Sequence, residues 1–424
     1  MNTNDDHGEL LHPLRDIDAT DSPPPRYDLT LAMRHGDSIR RRRMSIGALA
    51  AIVVVGAAIG IPLGLPSPHQ AGPAPSTPVP SPSPSASVPP SSLPVPLITS
   101  AAELPLANCT VTNLTAPAAA GVFSTWGGGH IDPTGRYLAT SLFKPIARQH
   151  PEFIPAQPLL VDLWTGRMTL IPVAEGKVDG VNAGGVVIGH SGANATGWVY
   201  RNGNVTPLLK FHGVAGTPYA INARGDIVGQ VTAANEPAVI WPADHPGTVR
   251  ALLPAGVVAR TITDSGVIGG SIGDPEHPRP YIGDGKGTGH TLSTGATDAR
   301  GQVYQIRGNY AVGWGFNNIT KGFIPMVWNL ATNSRTQYPR VGLVAIGADG
   351  TVVGATVPDS GVPGPYIGLI GRGGELERLP SGAADNLSVY VNDVSADGHT
   401  VFGLRQTSSS TSGPISQVGI LWHC

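Results

Sequence analysis

At 424 residues, with 13% of positions charged and a formal net charge of −2, the chain lacks the basic field that nucleic-acid binding requires. Its 56 glycines and 41 prolines exceed ordinary usage, and the two types separate along the chain. The prolines crowd one stretch, whereas the glycines recur at intervals.

Residues 1–43 are polar and broken by "DSPPPRYDL", which reads as a disordered cytoplasmic tail. "YDLTLAMRHGDSIRRRR" has the pattern of a short surface helix with arginines near anionic headgroups, but a plain topology signal suits the composition better. Residues 44–65, from Met44 to Leu65, form the near-continuous apolar run "MSIGALAAIVVVGAAIGIPLGL". About twenty such residues, rising 1.5 Å each, cross a hydrocarbon core of roughly 30 Å. Arg40, Arg41, Arg42 and Arg43 precede the run and no basic cluster follows it. The positive-inside rule therefore predicts a cytoplasmic N-terminus and an extracellular C-terminal domain. A cleaved signal peptide is the competing reading. Its charged leader would exceed forty residues and no clear A-x-A site follows, which favours an uncleaved single-pass cell-membrane anchor with the lipid bilayer as partner.

Residues 66–105 are a Pro/Ser/Ala-rich extracellular linker, "PSPHQAGPAPSTPVPSPSPSASVPPSSLPVP" at its densest. Such spacing of proline enforces polyproline II. At ~3.1 Å per residue, about thirty residues reach roughly 90 Å, a spacer suited to lifting a domain from the membrane into a cell wall.

Beyond residue 105 the pattern changes. "CTVTNLTAPA" is strand-like but belongs to no unit of its own. Seven variants of one phrase then follow: "IDPTGRYLAT", "VNAGGVVIG", "INARGDIVG", "ITDSGVIGG", "QIRGNYAVG", "IGADGTVVG" and "VSADGHTVFG". Their turn glycines, Gly135, Gly185, Gly225, Gly266, Gly308, Gly350 and Gly398, lie 50, 40, 41, 42, 42 and 48 residues apart. A strand-rich period near forty signals a propeller or a related array. The third unit shows the blade: "TPYAIN", a turn, "DIVGQV", a loop, "AVIW", a turn, and "TVRALLP". Four short strands A to D per unit predict an all-β, seven-bladed β-propeller over residues 106–424. An aromatic recurs near the end of strand C, at Trp164, Tyr200, Trp241, Trp328 and Trp422, and is expected to wedge between blades.

The seventh unit ends after strand C, at "QVGILWHC". A ring without an open sheet edge needs one more strand, and residues 109–116 are the ones without a blade. They are predicted to close the ring as its last outer strand. Cys109 opens that segment and Cys424 ends the chain. An isolated cysteine pair outside the membrane usually bonds, and this pairing sets the two at adjacent strand ends.

Ile221–Gly229 with Ala238–Trp241, and Val181–Gly189, resemble the HAF-type repeats of secreted bacterial proteins, with "IN..G.VVG" before "AFLW..G". "DPTGRYLATS" and "SADGHTVFG" look more like WD40-like repeats of bacterial exported proteins. The resemblance spans residues 120–424, implies the propeller fold and carries no catalytic residue.

Chemical motifs are sparse. Ser271 sits in a formal G-x-S-x-G, but inside a strand rather than at the strand-to-helix turn a nucleophile elbow needs. H-E-x-x-H, C-x-x-C pairs and P-loops are absent from the sequence. "TDSG", "GADG" and "SADG" are ordinary turn chemistry. His130 with Asp132, and His150 with Glu152, read as solvated loop residues rather than metal ligands, so neither metal nor cofactor is called for.

Strand alternation puts the B–C loops on one face of the disc and the short A–B turns on the other. Several B–C loops are long, spanning 143–158, 273–280, 313–325, 355–365 and 404–414. Arg148, His150, Glu152, His277, Arg279, Trp314 and Phe323 lie in them, a mixture suited to a cell-wall, glycan or protein partner. A binding or scaffold module is the expected function. The alternative is a hydrolase or lyase in the propeller channel. The A-strand ends, "GHIDP", "GVNAG", "AINAR", "TITDS", "AIGAD" and "NDVSA", are rich in turn formers, which argues against catalysis.

Overall fold

The computed structural model describes residues 92–94 and 104–424, apart from 145–155, 193–194, 232–236, 246, 253, 296–298, 318–321, 357–364, 383–386 and 408–415. The tail, the apolar run 44–65 and most of the linker therefore lie outside the described residues. Among the described residues no helix is long and apolar enough to cross a membrane.

Two strands precede the ring, β1 (Ser92–Pro94) and β2 (Thr110–Leu114). Blade 1 comprises β3 (Thr125–Ile131), β4 (Tyr137–Phe143), β5 (Ala156–Asp162) and β6 (Arg167–Leu170). Blade 2 comprises β7 (Gly176–Val181), β8 (Val187–Ser191), β9 (Thr196–Arg201) and β10 (Asn204–Pro207). Blade 3 holds β11 (Gly216–Ile221), β12 (Ile227–Val231), β13 (Ala238–Trp241) and β14 (Arg250–Ala251). Blade 4 holds β15 (Val257–Ile262), β16 (Ile268–Ile272), β17 (Arg279–Gly283) and β18 (Gly289–Thr291). Blade 5 is β19 (Gly301–Arg307), β20 (Tyr310–Asn317), β21 (Gly322–Asn329) and β22 (Ser334–Gln337). Blade 6 is β23 (Val341–Ile346), β24 (Val352–Thr356), β25 (Gly368–Arg372) and β26 (Glu375–Arg378). Blade 7 has β27 (Val389–Val394), β28 (Thr400–Gln406) and β29 (Gln417–His423), and its fourth strand is β2.

The fold is thus a seven-bladed all-β propeller closed by an N-terminal strand. β2 runs antiparallel to β29 from Thr110 opposite His423 to Leu114 opposite Gly419. A disulfide joins Cys109 to Cys424, and β28 of blade 7 packs on β3 of blade 1. Chain inside and just past the expected linker also touches the ring. β1 pairs parallel with β22 of blade 5, and Leu106 bridges parallel to Arg378 of blade 6. Both segments and β2 run in the sense of the outer strands, from the turn face toward the loop face. The chain therefore comes onto blade 7 from the turn face.

The repeated phrase does more than turn the chain. Gly225 and Gly266 sit at φ 92° and 88°, where a side chain is strained. Asn182 Oδ1 accepts from the Gly184 and Val186 N–H groups, while its Nδ2 donates to the Asn222 carbonyl of the next blade. Asn222 Nδ2 donates in turn to the Thr263 carbonyl of blade 4. Ala348 N–H donates to Ala396 O, and Ala396 N–H to Pro133 O, so blades 6, 7 and 1 are stitched on the same face. Each such bond is worth about 1 kcal/mol net, and the repetition around the ring makes them a scaffold.

Tryptophans stitch the opposite flank of the blades. The indole Nε1 of Trp241, Trp328 and Trp422 donates to Leu209 O, Ser293 O and Pro380 O, each just past the outer strand of the preceding blade, at 2.9, 2.8 and 2.8 Å. Tyr200 is buried in the corresponding wedge. Trp164 departs from the series: it is 71% exposed. β5 ends at Asp162, and the position opposite Leu138 that matches Trp422 is Val161. Trp164 falls in the following turn, under the Arg136 guanidinium. The blade 7–blade 1 seam is filled instead by Trp126, Leu138, Leu142, Leu159, Phe402 and Leu421.

Candidate functional site

At the loop face the two longest strands, β20 and β21, form one hairpin of eight-residue arms. Side chains two apart share a strand face, so Trp314 and Phe316 align, and Phe323 lies opposite Phe316 in the register. Trp314 and Phe323 meet edge-to-face at 4.5 Å and 76°, and Phe316 and Phe323 at 5.7 Å and 70°, the preferred geometry for aromatic pairs. The Arg300 guanidinium caps the far side, 3.8 Å above the Phe316 ring. Phe323 is 41% exposed, so the cluster presents an aromatic edge to solvent.

The Gly301 N–H donates to the Pro278 carbonyl at 2.7 Å. That bond sets the blade 4 segment bearing His277 and Arg279, both exposed, beside the loop-side end of this hairpin, where Gly301 pairs with Gly315. The structure thus joins Trp314 to Phe323 and places His277 and Arg279 on the adjoining blade. Arg148, His150 and Glu152 lie outside the described residues.

A second constellation lines the channel. All seven inner strands slip register near their middle: between Val178 and Gly180, Pro218 and Ala220, Ala259 and Thr261, Val303 and Gln305, Leu343 and Ala345, Val391 and Asp393, and, in blade 1, Trp126 and Gly129. A bulge re-aims the extra residue. The residues so placed are Asp179, Tyr219, Arg260, Tyr304, Val344 and Asn392, with Gly127 and Gly128 in blade 1. Arg260 lies over the Tyr219 ring at 4.6 Å. Asp179 Oδ2 is 2.6 Å from His190 Nδ1. Burial pushes the Asp179 carboxyl above the usual range, against the pull of His190. Asn392 Oδ1 is buried without a hydrogen-bond partner. A Cβ on Gly128 would meet only Asn392 Nδ2, at 3.3 Å, so blade 1 contributes space.

Toward the turn face the channel is crossed. Blade 5 has a shorter A–B turn, with Arg307 paired to Tyr310, and Arg307 stands where blades 2 and 3 carry Asn182 and Asn222. Its guanidinium donates to Val394 O at 2.6 Å and Ile131 O at 3.1 Å, and lies 3.4 Å from Asp393 Oδ1. Gln305 Nε2 donates to the same carboxylate oxygen, while Gln305 Oε1 accepts from Ile346 N–H. Blade 5 is thereby tied to blades 6, 7 and 1 across the axis. Burial would raise the Asp393 carboxyl, but the Arg307 charge and the His130 contact outweigh it and hold it below the usual carboxylate range.

Several expectations change. His130 and Asp132 do not form a solvated loop pair. His130 lies on the inner strand, 3.7 Å from Asp393, and Asp132 is fully buried, accepting from Thr134 and Tyr137 N–H within its turn. Ser271 is buried in β16 and accepts from Gln302 Nε2. Among the described residues, no group of three or more His, Cys, Asp or Glu could hold a metal ion. The A-strand ends are turn formers as read. The channel's polar groups instead sit three residues earlier, at the bulge, a position that the spacing before each turn marks once the bulge is known.

No protein-family profile and no curated protein matches the chain. It is similar in structure to the β-propeller domain of the trilobed protease from Pyrococcus furiosus, a propeller of open velcro topology (12% identity, TM-score 0.48, covering 71% of this chain and 93% of that one). It is similar also to an acylaminoacyl peptidase from Pyrococcus horikoshii (10%, TM-score 0.46, 69% and 50%). A third similar structure is YCF48 bound to D1 peptide (13%, TM-score 0.44, 76% and 97%).

Proposed function

We propose that the protein is a binding module, tethered outside the cell membrane by residues 44–65, whose loop face engages a cell-wall glycan or protein partner. The observation that carries this reading is the Trp314–Phe316–Phe323 cluster, rigid through edge-to-face packing yet open at Phe323. Exposed aromatics beside arginine are the residue types that dominate binding energy at interfaces. The apolar run behind four arginines supports the anchor, and the phrases at Ile221–Gly229 and Ala238–Trp241 support membership among the HAF-type repeat proteins.

The test is retention of the full-length protein, in mild detergent, on cell-wall fractions. Phe323→Ala and Trp314→Ala should each reduce retention about tenfold or more, the effect of losing roughly 2 kcal/mol. Equal retention of both variants would refute the loop-face site. Protease protection in oriented vesicles tests the topology, with cleavage expected outside only. A hydrolase or lyase in the channel is the second reading. The Asp179–His190 pair is the feature in its favour, and it predicts turnover of a glycan or peptide that His190→Gln abolishes.

A further inference from the structure

We infer that the channel holds a second ligand site, for a small organic carboxylate carrying a hydroxyl or ammonium near its acid group. Arg260 is the basis. It is half-buried on the inner strand of blade 4, and among the described residues its one ring or ion-pair contact is with the Tyr219 ring of blade 3. No carboxylate pairs with it among the described residues. A cation–π contact returns about 0.5–1 kcal/mol, less than the cost of withdrawing a guanidinium from water without an acid partner. The other charges of the channel are already engaged. Asp393 is neutralised by Arg307, and Asp179 is bonded to His190 with Lys177 close enough to act on it. Arg260 is therefore the cation that an anionic ligand completes, through the paired N–H donors that suit a carboxylate.

Blades 7 and 1 supply the remaining wall. Asn392 Oδ1 of blade 7 is buried and has no hydrogen-bond partner among the described residues, and it is the acceptor we assign to the ligand's hydroxyl or ammonium. Gly128 leaves room next to it. The Arg307–Asp393–Gln305 strut forms a floor, so the ligand enters from the loop face. The site is separate from the aromatic hairpin, which lies on the outer part of blade 5, and the two readings can fail independently.

Calorimetric titration of the full-length protein in mild detergent with galacturonate, malate, alanine and galactose decides the matter. Galacturonate and malate represent the hydroxyl source of the donor and alanine the ammonium source; galactose is the uncharged comparator. At least one carboxylate should bind, and galactose at least tenfold more weakly. Arg260→Gln should weaken the carboxylate at least tenfold. Gly128→Leu should abolish binding with an unchanged melting temperature, because the added side chain enters channel space rather than core. Phe323→Ala should leave it unaltered. Binding of galactose as tight as that of galacturonate, full affinity in Arg260→Gln, or no binding of any carboxylate would overturn the inference.

Discussion

Replacing both Cys109 and Cys424 with serine tests how the ring is held shut. The bridge joins residues 315 apart in sequence. In the chain-entropy model, closing a loop of that length removes about 19 cal/mol/K from the unfolded chain, or about 6 kcal/mol at 25 °C. This is an upper figure, since the native pairing of β2 with β29 survives the substitution. With an unfolding entropy of about 2.1 cal/mol/K per residue, a domain of roughly 320 residues has about 0.67 kcal/mol/K, so the midpoint should fall by about 9 °C. Calorimetry of the double serine variant and of the reduced wild type, at one scan rate, measures it. Amide exchange should show β2 opening well below the global transition in the variant. A fall of less than about 2 °C, with β2 as protected as before, would refute the reasoning and assign closure to strand pairing alone. Deleting residues 109–114 must cost more, because it also strips the edge of blade 7 and its Leu114 contact with the seam.

The Asp393 carboxyl is held below its ordinary value, so its contribution is present above the unfolded pKa near 3.9 and is lost as pH falls through the lower folded value; urea midpoints should drop in that acid range. Arg307→Met leaves Asp393 buried without its cation, which should cost about 3–5 kcal/mol at neutral pH, read from the same urea titrations. The Asp179 carboxyl is raised by burial, so its ionisation opposes folding at neutral pH; Asp179→Asn should raise the neutral-pH melting temperature, a gain that shrinks as pH falls through the raised pKa and is gone below the unfolded value near 3.9. Trp422→Phe removes the indole bond to Pro380 O and should cost about 1–2 kcal/mol in denaturant unfolding, whereas Trp422→Ala should cost about 3–5.

Blade count, strand order and ring closure were legible because each depends on local period and on a strand inventory. A turn glycine every forty residues marks the A–B turn, four short β runs follow each time, and the missing strand of the seventh unit matches the idle "CTVTNLT". The pairing of Cys109 with Cys424 follows from the same inventory. The loop-face cluster was legible only as residues: Trp314 and Phe323 were read within one long B–C loop, whereas the structure puts them in β20 and β21, whose register brings them together. Arg148, His150 and Glu152 lie outside the described residues.

The sequence by itself determined the architecture, since turn chemistry and strand propensity act between residues close in the chain. Only the tertiary structure decided what faces the axis. A register slip of one residue turns Asp179, Tyr219, Arg260 and Asn392 into the channel, and no periodicity marks such a slip in advance. Trp164 lies outside the wedge that four other aromatics fill because β5 ends at Asp162 and the chain turns there. Arg307 reads as an anomalous turn residue. It becomes a strut because ring closure brings Ile131, 176 residues away, and Val394, 87 residues away, within reach of one guanidinium.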